Sequence, residues 1–145
     1  SWTQVGRGKL GGIRAISVCR ANGTVYALAY GPKEHFKSYW GLRTLWRSDD
    51  RGKTWKSLWA GHASAAAVHP NDPDRVYVLA FAQDIQKEPV NLLRTTDGGK
   101  TWTPLADEIP LSPAGYGNQI VFEPGPNPKR FYVTHNVGTY VGVEK

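Results

Sequence analysis

Two octapeptides hold most of the recognisable chemistry in this chain. SDDRGKTW runs from Ser48 to Trp55, and TTDGGKTW from Thr95 to Trp102. Each places a hydroxyl, a carboxylate, a glycine, a second hydroxyl and an indole at fixed spacing. Such a set could serve as an acid/base loop, a cation loop or a self-bonded turn. A calcium loop needs several more oxygen ligands at set intervals, and neither octapeptide supplies them. A turn needs only what is present. An Asp two residues before a Gly accepts backbone N–H bonds, and the Gly takes a positive φ. The final Trp is large enough to pin the turn to a core. Asp50 and Asp97 are therefore expected to be fixed acceptors rather than proton shuttles. Asp49 is replaced by Thr96 in the second copy, which suits a position facing solvent.

Other candidate chemistry is scattered. Glycoside cleavage needs paired carboxylates; the candidates are Glu34, Asp84, Glu88, Asp107 and Glu108, none set in a distinctive motif. The histidines (His35, His62, His69 and His135) have no metal-ligand spacing, and no metal or other cofactor is expected. The single Cys19 excludes an internal disulfide and a thiolate zinc cluster, and its apolar context AISVC suggests a buried thiol. The segment GPKEHFKSYWG is the best binding candidate. Its His35, Lys37, Tyr39 and Trp40 could stack on a sugar face and meet anionic groups. Trp59 and Tyr116, expected in neighbouring loops, would line the same groove.

The chain has 145 residues, 40% hydrophobic, with net charge +6. That is enough for one ordinary domain with a core. No Lys/Arg block is dense enough for a nucleic-acid arm, so nucleic acid is not the expected partner. No apolar run approaches the roughly 20 residues of a spanning helix, and no signal peptide is visible. A chain that opens on Ser1 within a motif reads as processed, trimmed or fragmentary.

A repeat must position these residues. TVYALAY, RVYVLAFA and RFYVTHN are one recurring phrase; RAISVC, SAAAVHP and QIVFEP are another. Each is short, rich in β-branched and aromatic residues, and bounded by Gly, Pro, Asn or Asp. The spacing predicts four antiparallel strands per unit, A to D, with the octapeptide between C and D. A repeat of about 40–50 residues with four strands is a β-propeller blade. The fold class is all-β. Blade units are expected near 12–58, 63–105 and 117–145, and SWTQV matches the start of a D strand over 1–6. The order is D, ABCD, ABCD, ABC, so the last blade's outer strand would come from the N-terminal segment. Three blades fall short of the usual four to eight. The expected completion is by self-association or by further segments of a larger propeller.

Ser48, Asp50, Gly52, Thr54 and Trp55, and again Thr95, Asp97, Gly99, Thr101 and Trp102, fill the pattern Ser/Thr-x-Asp-x-Gly-x-Thr-Trp. The chain thereby resembles the Asp-box, or BNR-repeat, β-propellers: sialidases, xyloglucan-active hydrolases, sortilin-type receptors and photosystem II assembly factors of the Ycf48 type. The resemblance implies that the boxes are structural and lie away from the central site. In the xyloglucan-active relatives, Tyr-x-x-x-Asp-Val-Gly-Gly carries a catalytic Asp; the corresponding residue in YVTHNVGTY is Asn136, which is neither acid nor base. Sialidases grip a carboxylate with three arginines, and here only Arg14 falls on an inner strand.

The sequence favours a non-catalytic binding or assembly module, presenting its long-loop face to a protein or glycan. The alternative is part of a secreted glycoside hydrolase, xyloglucanase-like or sialidase-like. Asp-box proteins are often exported, so the expected location is extracellular or periplasmic.

Overall fold

The computed structural model describes residues 1–6, 9–30, 43–80, 91–105, 117–135 and 138–144. Among these there are only strands and turns, so no helix is long and apolar enough to cross a membrane. The strands form three antiparallel sheets. The first is β1 (Ile13–Val18), β2 (Val25–Tyr30), β3 (Arg43–Ser48) and β4 (Lys56–Gly61), in that order. The second is β5 (Ala63–His69), β6 (Asp72–Ala80), β7 (Asn91–Thr95) and β8 (Thr103–Pro104). The third is β9 (Gly117–Phe122), β10 (Arg130–His135) and β11 (Gly138–Val143).

The strands alternate, so each sheet turns one set of side chains to the sheet before and the other to the sheet after. Tyr26, Leu28 and Leu45 of the first sheet pack against Ala66, Val68, Val76 and Val78 of the second. On its other side the second sheet offers Ala67, Tyr77, Leu79 and Leu92 to Ile120, Phe131 and Val133 of the third. The core is thus two seams between stacked blades. The innermost strands β1, β5 and β9 run side by side, and the Ser17 hydroxyl accepts from Val68 N at 3.0 Å. Cys19 is buried at the first seam, with its thiol 3.3 Å from Pro70 O.

The third sheet has three strands. Residues 1–5 form no strand and do not pair with β11, contrary to the expected outer strand; Trp2 is fully exposed. Instead Val5 lies against Gly52 of the first box. Leu58 on β4 occupies the same place against Gly99 of the second box. The N-terminal segment therefore sits where the D strand of a blade preceding the first would lie, without a C strand beside it.

Candidate functional site

The two boxes form matching hydrogen-bonded turns. In the first, Asp50 accepts from Ser48 Oγ at 2.8 Å, Thr54 N at 2.8 Å and Thr54 Oγ1 at 2.6 Å. In the second, Asp97 accepts from Thr95 Oγ1 at 2.7 Å, Thr101 N at 3.0 Å and Thr101 Oγ1 at 2.6 Å. The Gly52 and Gly99 amides donate to the leading hydroxyls at 2.7 and 3.0 Å, with φ of 87° and 92°. Trp55 Nε1 closes the first turn onto Gly52 O at 2.8 Å. The Thr54 hydroxyl and amide, then Ser48, hold Asp50 down to about 2. Thr101 and Thr95 hold Asp97 well below the usual carboxylate range. A carboxylate so stabilised stays ionised and is a poor proton donor or acceptor at neutral pH.

An ionic cluster missing from the sequence reading links the first two blades on the same face. Arg47 donates to Asp49 through Nε at 2.8 Å, and through Nη1 to Asp74 at 2.6 Å and to the Tyr26 hydroxyl at 3.1 Å. Tyr26 in turn donates to Pro73 O at 2.6 Å. Burial pushes the Tyr26 phenol up to about 12, so it stays a donor. Asp49 is largely exposed but not idle: it also accepts from Thr24 Oγ1 at 3.0 Å. Beside this cluster, Lys56, Asp97, Gly98 and Lys100 complete a cleft of about 420 Å³. The signal was available in the recurrence of Tyr26 as Tyr77 and of Arg47 as Arg94, one pair in each of the first two repeats.

At the second seam Glu144 does the linking. Arg75 Nη1 bonds its carboxylate at 2.8 Å, and the Tyr77 hydroxyl donates to the same group. Burial, then Glu144, pushes the Tyr77 phenol up. Cross-strand register places Gly142 where Ser48 and Thr95 stand, since Val25↔Ser48, Val76↔Thr95 and Phe131↔Gly142 are equivalent pairs. Glu144 then falls at the position of Asp50 and Asp97. A side chain at Gly142 would run into the Phe131 ring, so the third blade has exchanged the box hydroxyl for an aromatic filler.

Strands β2 and β6 end, and β3 and β7 begin, at the end opposite the boxes. His35, Lys37, Tyr39, Trp40 and Tyr116 lie outside the described residues, as do Asn136 and the acids Glu34, Asp84, Glu88, Asp107 and Glu108. Trp59 is not a loop residue. It belongs to β4, half-buried against the first seam, with its ring 6.4 Å from that of Trp102. Arg43 anchors the base of this end, donating to Ala63 O and, at 3.1 Å, to the Tyr30 hydroxyl. Arg14, Ser17 and Gln119 line an inner recess of about 300 Å³. The pairing shifts register at Arg14, at Ser64 and at Asn118, so every inner strand carries its bulge at the same place. Among the described residues no three His, Cys, Asp or Glu side chains could hold a metal.

The BNR-Asp box repeat family model matches residues 45–58. The vacuolar protein sorting/targeting protein 10 of Sordaria macrospora is 41% identical over 61 residues, 40% of this chain and 4% of that protein. Among solved structures, the Niastella koreensis GH74 enzyme aligns over 92% of this chain and 21% of its own, with TM-score 0.61 and 19% identity. The Xanthomonas campestris GH74 xyloglucanase covers 92% and 22%, at 0.60 and 20% identity. YCF48 bound to D1 peptide covers 98% and 39%, at 0.55 and 19% identity. At these identities the likeness is one of fold, and the chain spans well under half of each of these proteins. The box motif, the three stacked sheets and these neighbours agree: the chain has the fold of β-propeller blades and resembles the Asp-box, or BNR-repeat, propellers.

Proposed function

We propose that this chain is a non-catalytic binding or assembly module whose long-loop face meets a protein or glycan partner. One observation carries the reading: every carboxylate among the described residues is already engaged within the blades. Asp50 and Asp97 hold the box turns. Asp49 and Asp74 flank Arg47, and Asp72 pairs with Arg75. Glu123 accepts from Lys129 N and Arg130 N, and Glu144 binds Arg75 and Tyr77. None is left as one member of a facing acid pair of the kind a glycosidase needs. Asn136 at the position of the hydrolases' Asp argues the same way. His35, Lys37, Tyr39, Trp40 and Tyr116 are the proposed contacts, on loops carried by a rigid scaffold. We place the protein outside the cytoplasm, in the periplasm or beyond, on the habit of its repeat family.

The YCF48 neighbour holds a peptide and the Xanthomonas neighbour is a xyloglucanase, so peptide and xyloglucan are the first ligands to try. The test pairs calorimetric binding with a turnover assay on xyloglucan, β-glucan and sialosides. Binding without turnover, weakened at least tenfold by Trp40→Ala, is the expected result. Turnover abolished by Glu34→Gln, Glu88→Gln or Asp107→Asn would establish the competing glycoside hydrolase reading.

A further inference from the structure

Gly follows Asn only once in the sequence, at Asn22–Gly23 in the turn between β1 and β2. An Asn side chain and the next backbone amide can react with each other. The nitrogen of the following residue attacks the carboxamide carbon, and a side chain on that residue hinders the approach. The other asparagines precede Asp72, Leu92, Gln119, Pro128 and Val137. All of these carry bulk beside the attacking nitrogen, and proline has no N–H to give up. Gly23 carries no Cβ, and nothing lies within 4 Å of where one would stand. By sequence, Asn22 is therefore the asparagine best placed to react.

The folded turn holds the two reacting groups apart. The Gly23 amide donates to Cys19 O at 2.9 Å, with Gly23 at a φ of 78°. Asn22 Oδ1 accepts from Thr24 N at 3.0 Å, so the carboxamide is held over the second amide along rather than the first. The same turn is tied to its surroundings. Cys19 N donates to Thr24 O at 2.9 Å, and the buried Thr24 donates through Oγ1 to Asp49 at 3.0 Å. Ala21 N and the Cys19 thiol both reach Pro70 O of the second blade, at 3.1 and 3.3 Å. Freeing the Gly23 nitrogen thus requires opening this turn, and with it one fastening of the first seam.

We propose that Asn22 is a self-modification site, a deamidation site gated by the opening of this turn. In the open turn the Gly23 nitrogen gives up its proton and bonds to Asn22 Cγ. The Cγ–Nδ2 bond breaks, and the side-chain nitrogen leaves as ammonia with that proton. Water then adds across one C–N bond of the resulting succinimide. Opening at Cγ leaves aspartate; opening at the backbone carbonyl leaves isoaspartate, whose main chain runs through Cβ and Cγ. Aspartate can still accept from Thr24 N, so the turn re-forms. Isoaspartate lengthens the main chain by a carbon, and the bonds of Gly23 to Cys19 and of Ala21 to Pro70 no longer fit one frame. The first seam then stays loosened, and the modification records that it opened. This inference is independent of what the loop face binds.

Peptide mass spectrometry, with isoaspartate-specific methylation, tests it on the chain incubated at mildly alkaline pH with and without guanidinium chloride. Asn22 should exchange its NH2 for OH in both, faster in denaturant by at least about tenfold. Thr24→Val removes the bond to Asp49 and keeps the Asn–Gly pair; it should speed the reaction in buffer and leave the rate in denaturant unchanged. Gly23→Val should slow the reaction in denaturant, where folding plays no part. Once formed, the isoaspartate chain should unfold at lower denaturant than the intact chain, while Asn22→Asp should match the intact chain. Equal rates in buffer and denaturant, earlier reaction at another asparagine, no acceleration in Thr24→Val, or an isoaspartate chain as stable as the intact one would each overturn the proposal.

Discussion

The two seams of the stack solve one packing problem with different chemistry. The first is mostly aliphatic around the buried Tyr26, with Trp59 and Trp102 packed at its edge, and is closed at its rim by Arg47, held between Asp49 and Asp74. The second is aromatic: Tyr77, Phe122 and Phe131 meet with ring centroids 4.8 to 5.9 Å apart. Its ion pair, Arg75 with Glu144, is more withdrawn from water; the Glu144 side chain is 7% exposed against 51% for Asp74. Coulomb attraction gains strength as water is excluded. The first rim is therefore a screened contact between exposed groups, while the second is part of the packing. In the third blade Gly142 stands where the box hydroxyl stands elsewhere, and the Phe131 ring fills the space over it.

The sharpest way to break that difference is to remove an anchor from each seam. Phe131→Ala deletes the ring shared by Tyr77, Phe122 and the space over Gly142, and should cost about 3–5 kcal/mol in urea unfolding. Leu45→Ala in the first seam should cost about 2–5 kcal/mol, toward the low end if neighbouring aliphatics close the gap. If Phe131→Ala costs less than Leu45→Ala, the aromatic seam is not the stronger fastening.

Gly142→Ser tests the exchange of filler for hydroxyl. Alone it overpacks against Phe131 and should cost about 1–3 kcal/mol. Combined with Phe131→Val it recreates the Val25–Ser48 pair of the first blade, so the double variant should be more stable than the sum of the singles predicts. Strict additivity in that cycle would disprove the coupling. Glu144→Gln leaves Arg75 and Tyr77 short of their acceptor and should cost about 1–3 kcal/mol. Asp74→Asn, at the exposed rim of the first seam, should cost no more than about 1 kcal/mol, and less in high salt.

These contrasts also mark what could be read from the sequence. The boxes were legible because their bonds span four residues or fewer, so local spacing encodes them. The strands were legible because the Tyr-containing phrase recurs three times. The seams were not, since pairing Arg47 with Asp74 requires knowing which faces two blades turn to each other. Glu144 was hidden for a related reason: its alignment with Asp50 shows only through the register of β10 and β11. Trp59 was misplaced because WAGHA has loop composition, yet pairing of β4 with β3 continues to Gly61 opposite Arg43. The N-terminal match to a D strand was legible, but residues 1–5 pair with no strand among the described residues. The proposed loop contacts fall outside the described residues, and for them the sequence stands alone.

The smallest effect compares the two boxes by their protons. Asp50 is held at about 2 by Thr54 and Ser48, and Asp97 lower by Thr101 and Thr95. An unfolded Asp titrates near ~3.9. Each box carboxylate, being depressed in the folded state, adds stability that is complete above that value. The contribution fades as pH falls and is gone once the folded group itself takes a proton. Both turns should therefore persist at pH 4, with the first releasing near pH 2 and the second below it. Carboxyl carbon shifts of Asp50 and Asp97, followed by NMR from pH 5 downward, would report the two midpoints separately. Thr54→Val should move the Asp50 midpoint upward and leave that of Asp97 in place. A midpoint near 4 for either residue in the unaltered chain would mean that its carboxylate is not the acceptor on which the turn depends.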